Sequence, residues 1–179
     1  MILKWIALLV LPLYLPMHLQ KEEDTMLWSA GRRLVWSDFK GRPDGARDDA
    51  ALTSSGIEFG YHYNEREGFS WHIACLFDKT KSWVRVKDDY ILAHEQGHFD
   101  ITEIYARRLN KELKAYRLNT DRMQKDVPAI YQSVMKEQAE MENRYDDETD
   151  NSRKKDKQAE WLKKIRNELG GLERYADYK

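Results

Sequence analysis

Residues 90–101 read YILAHEQGHFDI, and the reading of the whole chain turns on the period of this stretch. Between Asp88 and about Leu118 there is one glycine and no proline, so nothing interrupts a helix. Asp88 or Asp89 supplies an N-cap, and Leu92, Phe99, Tyr105, Leu109, Leu113 and Tyr116 give an apolar stripe at helix-compatible spacing. Upstream the period is two. In GIEFGYHYN, Ile57, Phe59, Tyr61 and Tyr63 share one face, with Glu58, Gly60 and His62 on the other. In FSWHIACLF, Phe69, Trp71, Ile73, Cys75 and Phe77 share a face, and NEREG between the two runs makes the turn of a hairpin. A third short strand is expected at SWVRV, after the turn DKTK, and a further one at the start of LVWSDF, before a loop punctuated by Gly41, Pro43 and Gly45.

Downstream, Pro128 suits the first turn of a second helix that runs through Ile130, Val134 and Met141 to about Thr149. DETDNS then reads as a turn. A third helix carries Trp161, Ile165, Leu169 and Leu172, with Gly170 and Gly171 fraying its end. The expected fold class is α+β: a small antiparallel β-sheet followed by three α-helices. One domain spans 21–179, β-rich over 34–86 and helical over 88–179.

Lys+Arg 30 against Asp+Glu 31 gives a net charge of −1, so no global field favours nucleic acid or an anionic membrane. The first twenty residues differ from the rest. Lys4 precedes an apolar run from Trp5 to Met17, shorter than the ~20 residues of a spanning helix and broken by Pro12 and Pro16. It reads as a signal peptide or N-terminal anchor. The expectation is export, to the periplasm or beyond, with inner-membrane attachment if the segment is retained. Cys75 is the one cysteine, so an intramolecular disulfide and a cysteine metal site are both excluded.

On a helix, residues four apart lie about 40° from each other around the axis. His94 and His98 can therefore aim two imidazoles at one metal ion, with Glu95, turned by about 100°, beside it where a zinc peptidase has its proton acceptor. The plainer reading is a solvated helix face whose two histidines happen to lie four apart. The apolar flanks predict a buried helix, where two histidines and a glutamate are costly unless paired or metal-bound. Gly97 leaves room for a close approach by another segment or a substrate. A third ligand is absent from this helix: Glu103 lies roughly 180° and Asp100 about 240° from His94, and position 104, where a third histidine could stand, is isoleucine. Glu142, Asp146, Glu148 and Asp150 are the oxygen donors available later in the chain, each also readable as part of a solvated acidic helix end. His62 and His72, across the hairpin, form a weaker constellation and read more simply as polar-face strand residues.

The pieces VWSDFKGRP, AALTSSGI, SWV, LAHEQGHFDITEIYARRLNKEL and YDDETDNSRKKDKQAEWLKKIRNELGGLERY resemble the DUF922 family, described as predicted secreted zinc-dependent proteases of bacteria. The resemblance implies His94 and His98 as metal ligands and Glu95 as the acid/base. It also implies a tail pattern Tyr-Asp-x-x-Thr-x-His. Tyr145, Asp146 and Thr149 match it, and Asn151, a weak metal donor, stands where the histidine would be. Either Asp146 or Asp150 completes the site, or the site is degenerate. Tyr145 has two readings: a phenol that stabilises an oxyanion, or aromatic packing against the active-site helix. The function implied is an exported metallopeptidase with Zn2+ as cofactor, hydrolysing a peptide or protein substrate through a zinc-bound water and Glu95. The alternative is a non-catalytic cell-envelope binding or structural protein with a degenerate metal site. A purely helical interaction module, drawn from the charged face of 153–179, leaves HEQGH unexplained.

Overall fold

The computed structural model describes residues 24–43, 45 and 49–178, and the expected leader lies outside them. The described chain is α+β. Strands β1 (Thr25–Leu27), β2 (Ala51–Leu52), β3 (Ser55–Asn64), β4 (Gly68–Asp78) and β5 (Trp83–Val84) precede helices α1 (Asp89–Ala115), α2 (Met123–Thr149) and α3 (Lys155–Gly171). Short 3-10 turns lie at Trp36–Asp38 and Glu173–Tyr175.

The period-two hairpin is β3 against β4, antiparallel, with Ile57 opposite Cys75 and Phe59 opposite Ile73. Its apolar face packs on α1, where Phe77 meets Phe99 at a ring separation of 5.6 Å, and reaches α2 through Phe59 and Tyr131 at 5.3 Å. The helix α1 is thus central, with the sheet on one side and α2 and α3 on the other. Asp88 caps it, its carboxylate accepting from the Tyr90 and Ile91 N–H groups. No helix among the described residues is long and apolar enough to cross a membrane.

The expected third strand of the sheet is corrected. The sheet order is β1-β4-β3, its third member being the three-residue β1, too short to carry a period. SWVRV instead contributes β5, which pairs with β2 in a separate two-stranded ribbon. The turn before it redirects the chain: Asp78 Oδ1 accepts from the Thr80 and Lys81 N–H groups, and Ser82 Oγ donates to the Asp78 carbonyl. No strand forms at Leu34. Its N–H donates to Gln96 Oε1 of α1 at 2.7 Å, and the Asp38 carboxylate then accepts from Val35 N–H, curling the chain into a 3-10 turn.

The helix α2 begins at Met123, five residues before Pro128. Proline there removes the N–H that would reach the Gln124 carbonyl and crowds that carbonyl, and the burial of Met123 and Val127 offsets the cost. At the other end α2 continues through Asp147–Thr149, so the turn expected at 147–152 starts at Asp150. Asp150, Asn151 and Ser152 are all left-handed, at φ 51°, 47° and 72°. The helix α1 ends at Ala115, where Tyr116 turns extended.

Candidate metal centre

The burial predicted for the HEQGH helix holds: His94, Glu95, Gln96 and Gly97 are buried and His98 is half-buried. The rotation of α1 about its axis is fixed from the far side. Gln96 bridges Leu34 and Asp100, and Asp100 also accepts from Trp28 Nε1 at 2.8 Å. This turns the His94–His98 edge toward α2.

The Nε2 atoms of His94 and His98 are 3.2 Å apart. Asp146 Oδ1, from α2, lies 3.2 Å from the first and 3.0 Å from the second. These three form a group that could hold a metal ion. Glu142, one turn earlier on α2, receives a short hydrogen bond from His98 Nδ1. An ionised carboxylate only accepts, so this contact places a proton on Nδ1, and in the neutral ring Nε2 is then the atom left to serve as a ligand beside the other two donors. His94 is oriented differently. Its ring stacks on that of Tyr145 at 4.5 Å and 22°.

The cluster draws positive charge to itself. Burial disfavours a charged His98, but Glu142 and Asp146 outweigh it and hold that imidazole well above its ordinary value. Burial likewise pushes Asp146 up, yet hydrogen bonds from His94 and His98 prevail and carry it well below the usual carboxylate range. A proton or a metal ion can satisfy the same cluster.

Other candidates fall outside the group. Asp150, at the left-handed end of α2, faces Arg153 at 3.6 Å. Glu148 accepts from Trp161 Nε1 at 2.8 Å. Glu103 and Asp100 point elsewhere, as the helical wheel predicts, to Arg107 and to Trp28. His72 stands across from Gly60, and His62 from Ser70, so the two are offset in register, and His62 bonds Asn64. Tyr145 is fully buried, and its hydroxyl donates to the His94 carbonyl at 3.3 Å. Burial, reinforced by Glu95, Asp146 and Glu142, raises the phenol far above its ordinary pKa, so it stays protonated.

The close approach foreseen at Gly97 is made by Tyr145. A Cβ on residue 97 would sit 2.4 Å from the Tyr145 oxygen and 2.8 Å from Cζ. Gly97→Ala is therefore expected to destabilise the chain by about 1–3 kcal/mol, the usual cost of overpacking. Thermal melts check this, and adding Tyr145→Phe, which deletes the nearest atom, is expected to restore part of the loss.

A cleft of about 450 Å³ opens on the group. Residues 49–55, around β2, form one wall; His94, Glu95 and His98 line the floor; Gln138, Glu142, Asp146 and Asn151 line the opposite side. The wall is therefore the ribbon strand and its flanks, reaching the main sheet only at Ser55. Thr53 Oγ1 donates to the Glu95 carbonyl at 3.2 Å and ties wall to floor. Glu95 Oε2 is buried and has no hydrogen-bond partner among the described residues. Two features escaped the sequence. The β2 wall is only two residues long, and Glu142, counted as a possible ligand, acts on His98 from behind. The second did leave a signal, since Gln138, Glu142 and Asp146 recur every four residues on one face of α2.

A family model described as "Bacterial protein of unknown function (DUF922)" matches residues 71–154, a stretch that contains His94, Glu95, His98, Glu142, Asp146 and Asn151. No curated protein and no solved structure matches the chain.

Proposed function

We propose that this chain, which belongs to the DUF922 family of bacterial proteins of unknown function, is a zinc-dependent hydrolase of peptide bonds. One observation carries the reading: the unpartnered, buried carboxylate oxygen of Glu95 lines the same cleft as the His94–His98–Asp146 group. The donor set suits zinc. Tetrahedral ligands at about 2.0–2.1 Å from zinc sit roughly 3.3 Å apart. The separations here are 3.2, 3.2 and 3.0 Å. Two imidazoles and one carboxylate also leave the fourth position free for chemistry. Zinc held there supplies a Lewis acid for the scissile carbonyl and a lowered pKa for water.

The chain's own residues do the rest. Glu95 accepts a proton from water as the water oxygen adds to the carbonyl carbon. When the C–N bond breaks, Glu95 returns that proton to the departing amine, and the second water proton leaves with the new carboxylic acid, which ionises. Glu142 keeps His98 in the tautomer that ligation needs.

The wall favours an extended peptide. Ala51 faces Val84, and Arg85 N–H donates to the Ala50 carbonyl at 2.7 Å. Bonded pairs alternate along an antiparallel ladder, so the peptide groups of Ala51 point away from β5, where a substrate strand could pair with them. We also place the protein outside the cytoplasm, on the strength of the apolar run from Trp5 to Met17.

Glu95→Ala tests the mechanism. Peptide hydrolysis is expected to fall by about 10²–10⁴-fold while zinc content, by elemental analysis, stays stoichiometric. Undiminished hydrolysis in that variant would sink the mechanism. Zinc binding without hydrolysis in the wild type would favour a structural or binding role for the site.

A further inference from the structure

We propose, building on the hydrolase reading, that Asn151 donates its side-chain amide to the oxyanion that forms on the scissile carbonyl. Addition of water to a carbonyl leaves negative charge on its oxygen, and a fixed donor beside that oxygen lowers the barrier. Of the hydroxyls that line the cleft, Thr53 donates to the Glu95 carbonyl and Ser55 pairs with Thr102, while Ser54 and Ser152 stand beside the amides as the other side-chain donors. Asp49 and Glu142 line it as carboxylates, which repel an oxyanion. Tyr145 spends its hydroxyl on the His94 carbonyl and is buried under the floor. The other amide of the lining, Gln138, donates to Thr102 Oγ1 at 3.1 Å.

Asn151 is exposed and lines the cleft, and no side-chain partner engages it among the described residues. The backbone that carries it is held in place. The Asn151 N–H donates to the Asp146 carbonyl at 2.9 Å, so the amide rides on the same turn as the third donor. The left-handed φ of 47° is a conformation that asparagine holds more readily than most residues. Once Asp146 completes the donor group, residue 151 is free of the ligand role, and an uncharged amide serves an oxyanion at any pH.

Asn151→Gly removes the amide and keeps the left-handed backbone accessible. Two affinities are measured by calorimetry on zinc-loaded protein: for a phosphonamidate peptide, whose tetrahedral anionic group mimics the oxyanion, and, in a Glu95→Gln background, for the intact peptide. Zinc content is determined in every variant. The glycine variant is expected to lose affinity for the phosphonamidate on the order of a hundredfold, with peptide affinity and zinc content unchanged. Asn151→His, which restores a donor, is expected to recover most of the loss. Unchanged phosphonamidate affinity in the glycine variant overturns the proposal, and so does an equal loss of both affinities. A zinc-loaded wild type that binds neither compound overturns the hydrolase reading itself, before any variant is compared.

Discussion

Zinc-loaded wild type is expected to keep its metal through gel filtration, and replacing Asp146 by alanine is expected to strip it. The carboxylate is the sole contribution of α2 to the three-donor group, and its removal leaves two imidazoles on one face of α1. Two ligands four residues apart on a helix hold zinc far less tightly than three donors in a preset triangle. The comparison is Glu142→Gln. That change keeps an acceptor near His98 Nδ1 but weakens a charge-assisted bond, and loss of such outer partners costs roughly ten- to a hundredfold in metal affinity. The Asp146 variant is expected to lose more than that in a competition titration against a chromophoric chelator. Equal affinity of Asp146→Ala and wild type would remove Asp146 from the donor group and reopen the search for a third ligand.

The second large effect concerns stability. Glu103 is fully buried and accepts from Arg107 Nε at 2.9 Å, while the Tyr178 hydroxyl gives it a short hydrogen bond. Arg107 is itself buried, and it also meets the Leu169 carbonyl, the face of the Trp28 ring and the carboxylate of Glu173, which is mostly in solvent. Glu103→Ala leaves a buried guanidinium short of its main counter-charge, a change that costs about 3–5 kcal/mol. Against a total stability of roughly 5–15 kcal/mol this is a large fraction. Urea denaturation is expected to show a strongly lowered midpoint with an unchanged slope. Glu103→Gln, which keeps an acceptor for Arg107, is expected to cost less. If alanine and glutamine prove equally mild, the pair contributes little and the C-terminal segment is held by its other contacts.

Much of the fold was legible because two periods write it plainly. The alternation in Ile57–Tyr63 and Phe69–Phe77 has one apolar face and one polar face, as a sheet covered on one side requires. The run from Asp88 is helical because nothing in it breaks a helix. The short elements were not legible. β1, β2 and β5 have two or three residues each, and their pairing is decided by turns and by contacts far away in sequence. The start of α2 was missed because proline was read as a boundary. Its local cost is real, but Met123 and Val127 find burial on the far side of it.

For the site, the helical wheel excluded Glu103 and Asp100 correctly and left four carboxylates open. Only the docking of α2 on α1 could separate them. That docking depends on residues that look unremarkable in the sequence: a glycine at 97 and a tyrosine at 145 that meet across the interface.

The same contact has a kinetic side. Two donors belong to α1 and the third to α2, so an ion held among them leaves only when the two helices part or when Asp146 swings into the cleft. Parting the helices lifts Tyr145 out of a slot that admits no side chain at residue 97 and breaks its stack on His94. By the first of these routes the packing of one aromatic ring would set how long an ion stays, so its residence time would belong to the helix interface as well as to the donors.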